Sequence, residues 1–346
     1  MTNNPADDPR IDPRIKVLLS MMPSFAAPDV PDRATLVARS NTPEGRAAAD
    51  TYRAVMSVCD SEDNAPTSGL RIHNETITSQ PDGNSITLRV IRPDNSAVLP
   101  CIYYIHGGGM ASLSCFDGNY SGWGKNLAAR GVVVVMVEFR NAVTPSSLPE
   151  VAPFPAGLND CVSGARWVVA NAAKIGADQR RIVIAGESGG GNLTLATGMK
   201  MARDGDIGSI SGLYAFCPYI AGQWPTPECP SSVENNGIFL NLHNNNGRVG
   251  YGIEAFDRRD PLAWPSFAKE DDVRALPRTV ISVNECDPLR DEGINFYRLL
   301  LRAGVPARAR TILGTTHGIE LMPIACPAIT ASAQVDLVSF ASATGG

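Results

Sequence analysis

Apolar and polar positions change rhythm twice along this chain. In residues 1–60 the apolar positions recur at helical spacing. Residues 15–22 form an apolar stretch, and residues 46–59 carry Ala48, Tyr52, Val55 and Met56 about a turn apart, which predicts helices. Residues 76–79 and 85–91 flank Pro81-Asp82-Gly83, the pattern of a β-hairpin. Beyond residue 100, short apolar runs alternate with amphipathic segments. Strands are expected at 101–105, 132–137, 181–185, 213–217, 279–283 and 307–313. Helices are expected at 120–129, 156–173, 193–202, 291–303 and 328–341. Residues 132–137 are apolar at every position, as a strand must be when both of its faces are covered. This alternation predicts an α/β fold with a mostly parallel central sheet and helices on both faces.

The periodicity weakens across residues 218–265, which are rich in Pro, Asn and aromatic side chains. An insertion between two sheet strands is expected there. It begins at the C-terminal end of a strand, the edge where open α/β sheets bind ligands. The expected division is therefore 1–60 as an N-terminal part, 61–217 and 266–346 as two parts of one core, and 218–265 as the insertion.

Composition narrows the function. With 30 Lys and Arg against 35 Asp and Glu the net charge is −5, and no basic block stands out, which argues against nucleic acid as a partner. The longest apolar run has six residues, 132–137, far below the roughly 18 needed to cross a bilayer, so no membrane insertion is expected. The polar, Pro- and Asp-rich start of the chain lacks the apolar region of a secretory leader. The eight cysteines include no Cys-x-x-Cys, and several sit in apolar segments. Free core cysteines in a reducing compartment follow, hence a cytoplasmic location. Neither the cysteines nor the four histidines form ligand pairs at short spacing, so no metal is expected.

The candidate chemistry lies in two glycine-rich turns. Gly186-Glu187-Ser188-Gly189-Gly190 is a G-x-S-x-G pentapeptide, placed directly between an expected strand and an expected helix. A serine on so tight a turn sits at strained backbone angles, its flanking positions exclude side chains, and the Gly189 N–H would point toward an oxyanion at the positive end of the helix. No Gly-Lys-Ser/Thr follows, so a phosphate loop fits poorly. His106-Gly107-Gly108-Gly109 follows the strand at 101–105. Two of its backbone N–H groups, with that of Gly189, would make a three-donor oxyanion hole. His106 abuts those glycines and is expected to brace the loop.

A serine nucleophile needs a base. His73 lies in the early hairpin and His243 in the insertion, whereas His317 follows the strand at 307–313 on the rim expected for Ser188. The base in turn needs a carboxylate. Asp287 follows the strand at 279–283 on that same rim, with Glu285 as its competitor. Asp291 and Glu292 fall at the start of the next helix, where acids suit the helix dipole. The order Ser188, Asp287, His317 is that of the α/β-hydrolases.

These motifs, with Gly191-Asn192-Leu193, Phe154-Pro155-Ala156 and the run from Asp287 to Gly293, resemble the hormone-sensitive lipase-like family, the bacterial family IV esterases. The resemblance extends from about Thr76 to the C-terminus. It implies a nucleophile at Ser188, an acid at Asp287, a base at His317, and oxyanion donors at Gly108, Gly109 and Gly189. It also implies an α/β-hydrolase core, a helical cap built from 1–60 and 218–265, and a homodimer. Two features depart from the family: Glu187-Ser188-Gly189 stands where Asp-Ser-Ala is usual, and Phe139-Arg140-Asn141-Ala142-Val143 where Tyr-Arg-Leu-Ala-Pro is usual. The expected function is a serine carboxylesterase acting on short- to medium-chain esters, a small-molecule substrate, with neither metal nor organic cofactor. Acyl transfer through the same residues is the alternative. A receptor binding under the cap without turnover is a third reading, but such a protein would be expected to have lost part of the triad.

Overall fold

The structure is a computed structural model, and it describes residues 5–22 and 25–343. Residues 1–4 and 23–24 of the expected cap segment, with residues 344–346 of the core, lie outside the described residues. First along the chain comes the hairpin of β1 (Leu70–Thr78) and β2 (Ser85–Pro93). Then come β3 (Leu99–Ile105), β4 (Val133–Glu138), β5 (Ala177–Glu187), β6 (Gly212–Phe216), β7 (Thr279–Asn284) and β8 (Ala307–Ile312). They make one eight-stranded sheet in the order β1-β2-β4-β3-β5-β6-β7-β8. β1 and β2 are antiparallel to each other, and β2 is antiparallel to β4. From β4 to β8 every pairing is parallel.

Strand side chains alternate between two cores, as the period of two requires. Tyr103, Ile105, Val133, Val135 and Ile184 pack on the face covered by the helices Ala156–Ala170, Gly189–Asp204 and Arg290–Arg302. Ile102, Tyr104, Val134, Met136 and Ala185 pack on the other, under Gly118–Ala128, Pro327–Ser342 and the N-terminal helix Pro13–Met21. Every residue of β4, β6 and β7 is buried, and each fully buried Val or Ile contributes roughly 1.5–3 kcal/mol. β8, at the sheet edge, has no fully buried residue, which matches its alternating Arg308 and Arg310. All eight cysteines are free and buried.

The expected elements are present with shifted ends. The expected helix at 156–173 divides at Asn171 into Ala156–Ala170 and Ala172–Ile175, closed by Gly176 at φ 70°. β5 starts four residues early through polar Asp178–Arg180, which periodicity reads as loop. The helix Arg33–Ser40 falls within the segment 1–60 expected to be helical, but no apolar period marks its bounds. It spans two turns and buries only Leu36, so its sole local signal is Asp32, whose side chain accepts from Thr35 N at 2.7 Å. Residues 218–265 are largely irregular, with helices Ser231–Glu234 and Asn246–Asp257, the latter interrupted at Gly252.

One buried ion pair links the hairpin to the loop after β3. Arg140, just beyond β4, donates through N, Nε and Nη2 to the fully buried Asp160, and through Nη2 to Asp82 in the hairpin turn. The residues that follow strap down the segment after the triple glycine: Ala142 N donates to Met110 O at 2.9 Å and Val143 N to Ala111 O at 3.1 Å. Removing the Asp160 charge still leaves Arg140 paired with Asp82 and Glu150. Asp160→Asn is therefore expected to lower unfolding free energy by about 1.5–3 kcal/mol, the worth of a hydrogen bond to a charged group, in urea denaturation. A loss below about 1 kcal/mol, the worth of an exposed pair, would contradict this account.

Candidate active site

β5 runs directly into Ser188, and the helix Gly189–Asp204 starts at the next residue. Ser188 sits at φ 57°, ψ −118°, a region costing a non-glycine residue of order 1–3 kcal/mol. Three backbone bonds hold it there: Ser188 N donates to Phe216 O, while its own carbonyl accepts from Asn192 N and Tyr219 N, all at 3.0 Å. The flanking positions admit no side chain. A Cβ on Gly186 would collide with Gly190 O, and one on Gly190 with Ile105 O.

β3 ends in His106-Gly107-Gly108-Gly109 beside this turn, because Ile105 pairs with Gly186 across the parallel ladder. Gly108 and Gly109 adopt φ 89° and 64°. Gly107 N is already used, donating to Tyr120 OH at 3.0 Å. His106 braces the loop as expected: it is fully buried, stacks on Phe139 with centroids 4.2 Å apart, and its Nδ1 meets Gly107 O at 3.0 Å. Burial holds its pKa below the usual histidine value.

His317 follows β8, and its Nδ1 donates to Asp287 Oδ2 at 2.8 Å. Asp287 is fully buried, and its Oδ1 accepts from Leu289 N at 2.9 Å. Glu285 points elsewhere and accepts from Gly314 N at 2.7 Å, fastening the start of the loop that carries His317. His73 lies on β1 against Glu75, and His243 meets Ser232 O. Ser188, His317, Gly108 and Gly109 line one cavity of about 770 Å³. Ser188 Oγ and His317 Nε2 share its wall without a direct hydrogen bond among those the structure forms.

Sequence reasoning missed several neighbours of the imidazole. Glu187 Oε1 lies 3.4 Å from His317 Nε2, and Glu187 Oε2 accepts from Tyr120 OH at 2.9 Å. The signal was present, since an acid amid the apolar and glycine residues of a buried turn must find a partner. Phe239 of the insertion stacks over His317 at 6.3 Å, and Glu320 is buried close by. Asn235 Nδ2 donates to the carbonyls of Glu285 and Asp287, both at 3.1 Å, and no local pattern announces it. Burial pulls the His317 pKa down. The charge and hydrogen bond of Asp287, with Glu187 and Glu320 behind it, overcome that and push it up to about 9.

The two acids assigned to the helix dipole do more. Asp291 and Glu292 do lie in the first turn of Arg290–Arg302, but they also anchor the insertion. Glu292 is buried and accepts from Ile220 N at 2.6 Å, Ala221 N at 3.1 Å and Trp224 Nε1 at 2.6 Å. Burial pushes its pKa up to about 8. Asp291 accepts from Ser231 N at 2.7 Å.

Among the described residues one group has donor atoms close enough to share an ion: Glu187, Cys217 and His317, within 4.8 Å of one another. His317 is already held by Asp287 and Glu187 by Tyr120, and Cys217 has no exposed surface, so the convergence follows from the packing around the imidazole. No helix among the described residues is long and apolar enough to cross a membrane.

A strained serine at a strand-to-helix turn, an adjacent triple-glycine loop and a His–Asp pair on one rim of a doubly covered parallel sheet define an α/β-hydrolase site. A family model described as alpha/beta hydrolase fold matches residues 102–321, and the chain belongs to this family, on its hormone-sensitive lipase-like esterase branch. The structure of esterase Est22 is 58% identical, covers the whole of both chains and superposes with a TM-score of 0.97. Brefeldin A esterase, described as a bacterial homologue of human hormone sensitive lipase, is 37% identical over 99% of this chain and 96% of its own, with a TM-score of 0.86. Carboxylesterase NlhH of Mycobacterium tuberculosis is 32% identical over 271 residues, 75% of this chain and 78% of that protein.

Gly190 supplies a test of the site's tightness. A Cβ there would collide with Ile105 O and sit 2.6 Å from His106 O, prising the Ser188 turn away from the triple-glycine loop. Gly190→Ala is expected to lower kcat by roughly 10²–10³-fold, as when one transition-state contact is displaced, with the circular dichroism spectrum kept. An unchanged kcat would contradict the close approach.

Proposed function

We propose that the protein hydrolyses carboxylic esters through an acyl-enzyme on Ser188. One observation carries this reading: the His317–Asp287 hydrogen bond of 2.8 Å opens onto the cavity that holds the strained Ser188. In the first half-reaction Ser188 Oγ bonds to the ester carbonyl carbon while His317 Nε2 takes its proton, the two side chains drawing together once substrate is bound. The oxyanion accepts hydrogen bonds from the backbone N–H groups of Gly108, Gly109 and Gly189. The carbon–oxygen bond to the alcohol then breaks, and the alcohol leaves with the proton from His317. In the second half-reaction water gives a proton to His317 and bonds to the acyl carbon, and Ser188 recovers its proton as the acid departs. Asp287 keeps the imidazole in the required tautomer and stabilises the imidazolium.

The cavity wall supports a cap formed by the N-terminal segment and the insertion. It includes Phe25 and Leu36 from the first, and Phe239, Leu240 and Leu242 from the second. The same wall also carries charge, from Arg39, Glu44, Arg46, Asp50 and Arg53. An acyl chain growing from Ser188 therefore exhausts apolar lining and meets charged groups. This favours short to medium chains, because each methylene that finds apolar contact gains ~0.8 kcal/mol and one that does not gains nothing. The buried free thiols support a reducing, cytoplasmic setting.

Ser188→Ala is expected to remove turnover, a loss of about 10⁶-fold in kcat, and Asp287→Asn to cost about 10⁴-fold, both with the fold kept. Glu285→Gln should do far less. Near-normal activity in purified Ser188→Ala would sink the assignment, and a worse lesion at Glu285 would reassign the acid. Across p-nitrophenyl esters from acetate to palmitate, kcat/KM is expected to peak at short to medium acyl length. A maximum at palmitate would refute the reading of the cavity wall.

A further inference from the structure

Glu187 links the His317 loop, the helix Gly118–Ala128 and, through Tyr120, the triple-glycine loop. Its Oε1 lies 3.4 Å from His317 Nε2, and its Oε2 accepts from Tyr120 OH, which in turn accepts from Gly107 N in the triple-glycine loop. Two glycines make room for it: a Cβ on Gly107 would collide with Oε2, and one on Gly318 would lie 3.0 Å from Oε1. The contact falls on Nε2, the nitrogen that Asp287 leaves free. When the ring is protonated, both of its N–H groups face carboxylates. When it is neutral, the Nε2 lone pair faces Oε1 and is repelled.

Resting on the reading of His317 as the base, we propose that Glu187 is a positioning residue of the reaction. It steadies the imidazolium that forms as Ser188 attacks, and it couples the ring's orientation to the oxyanion loop through Tyr120 and Gly107. The side chain must be a glutamate to do this, because an aspartate is one methylene short of both partners.

The titratable groups facing His317 come from every neighbouring element: Asp287 after β7, Glu187 at the end of β5, Glu320 in the turn Ile319–Leu321, and the Cys217 thiol after β6. Burial pushes Glu320 up to about 7 and raises the Cys217 thiol well above its ordinary value. Around Glu187 stand the hydroxyls of Tyr52, Tyr104 and Tyr120, all raised by burial and therefore neutral. Burial raises Glu187 too, while His317 and the Tyr120 hydrogen bond work against that rise. Asp287 and Glu187 are thus the two carboxylates within reach of the ring nitrogens.

The test is the pH profile of kcat/KM from mildly acid to alkaline conditions. Because the base must be neutral, activity rises with pH through the His317 titration, and an anion at Nε2 moves that rise upward. Glu187→Gln keeps the shape and the Tyr120 contact but removes the charge. Its acid limb is expected to move down by roughly one to three units, the effect of a charge within about 4–6 Å, with a lower plateau kcat. A merely structural residue would depress kcat at all pH values and leave the limb in place, and that result overturns the proposal. Should the Gln variant fail to fold, Tyr120→Phe decides: it withdraws a hydrogen bond that favours the ionised form of Glu187, so the limb should move the same way by less, and an unmoved limb again overturns the proposal. His317→Ala separates the two readings. Full activity in that variant sinks the assignment of the base, whereas a dead His317→Ala with an unmoved limb in Glu187→Gln sinks only the role of Glu187.

Discussion

Two backbone turns at the ends of neighbouring strands approach so closely that neither can carry a side chain where they meet. Gly189 and Gly190 on one side face Ile105, His106, Gly109 and Met110 on the other. The parallel pairing of β3 with β5 sets this approach, since Ile105 and Gly186 leave the sheet at the same level. It requires strands buried on both faces, and the two cores on either side of the sheet provide that. The Ser188 strain is then held by main-chain bonds to β6 and its following loop. The strained serine and the triple-glycine loop beside it are consequences of one tight contact between backbones.

Burial of acidic side chains is the second organising element. Asp160, Asp287 and Glu292 have almost no exposed surface, and such groups are tolerated only when paired or hydrogen-bonded. Each is matched to a task. Asp160 neutralises Arg140 and so ties the hairpin to the strap over the triple-glycine segment. Asp287 takes the His317 N–H. Glu292 takes three N–H groups at the root of the insertion, which holds Tyr219 and the following loop beside Ser188. The position of the segment after β6 thus rests on a buried acid of the core.

Much of this was legible in sequence, because the signals were local. A fully apolar hexapeptide reads as a covered strand, and a glycine-flanked serine between strand and helix reads as a tight turn. The pairing of His317 with Asp287 followed from their shared rim. What was not legible depends on contacts between distant segments. Asn235 reaches the carbonyls of Glu285 and Asp287 from 50 and 52 residues away. The helix Arg33–Ser40 is too short to display a period. Glu292 has the sequence signature of a helix-dipole acid, and only packing reveals that it faces the insertion. Glu187 stood in plain view inside the pentapeptide, but its partner Tyr120 lies 67 residues away.

The most direct measurement is the covalent trapping of the nucleophile. The protein would be treated with a p-nitrophenyl phosphonate, digested, and mapped by mass spectrometry. A single adduct on the peptide carrying Ser188, formed in step with loss of esterase activity and strongly slowed in His317→Ala, is the predicted result. An adduct elsewhere that still abolishes activity, or undiminished labelling of Ser188 without His317, would contradict the account of a serine activated by the His317–Asp287 pair.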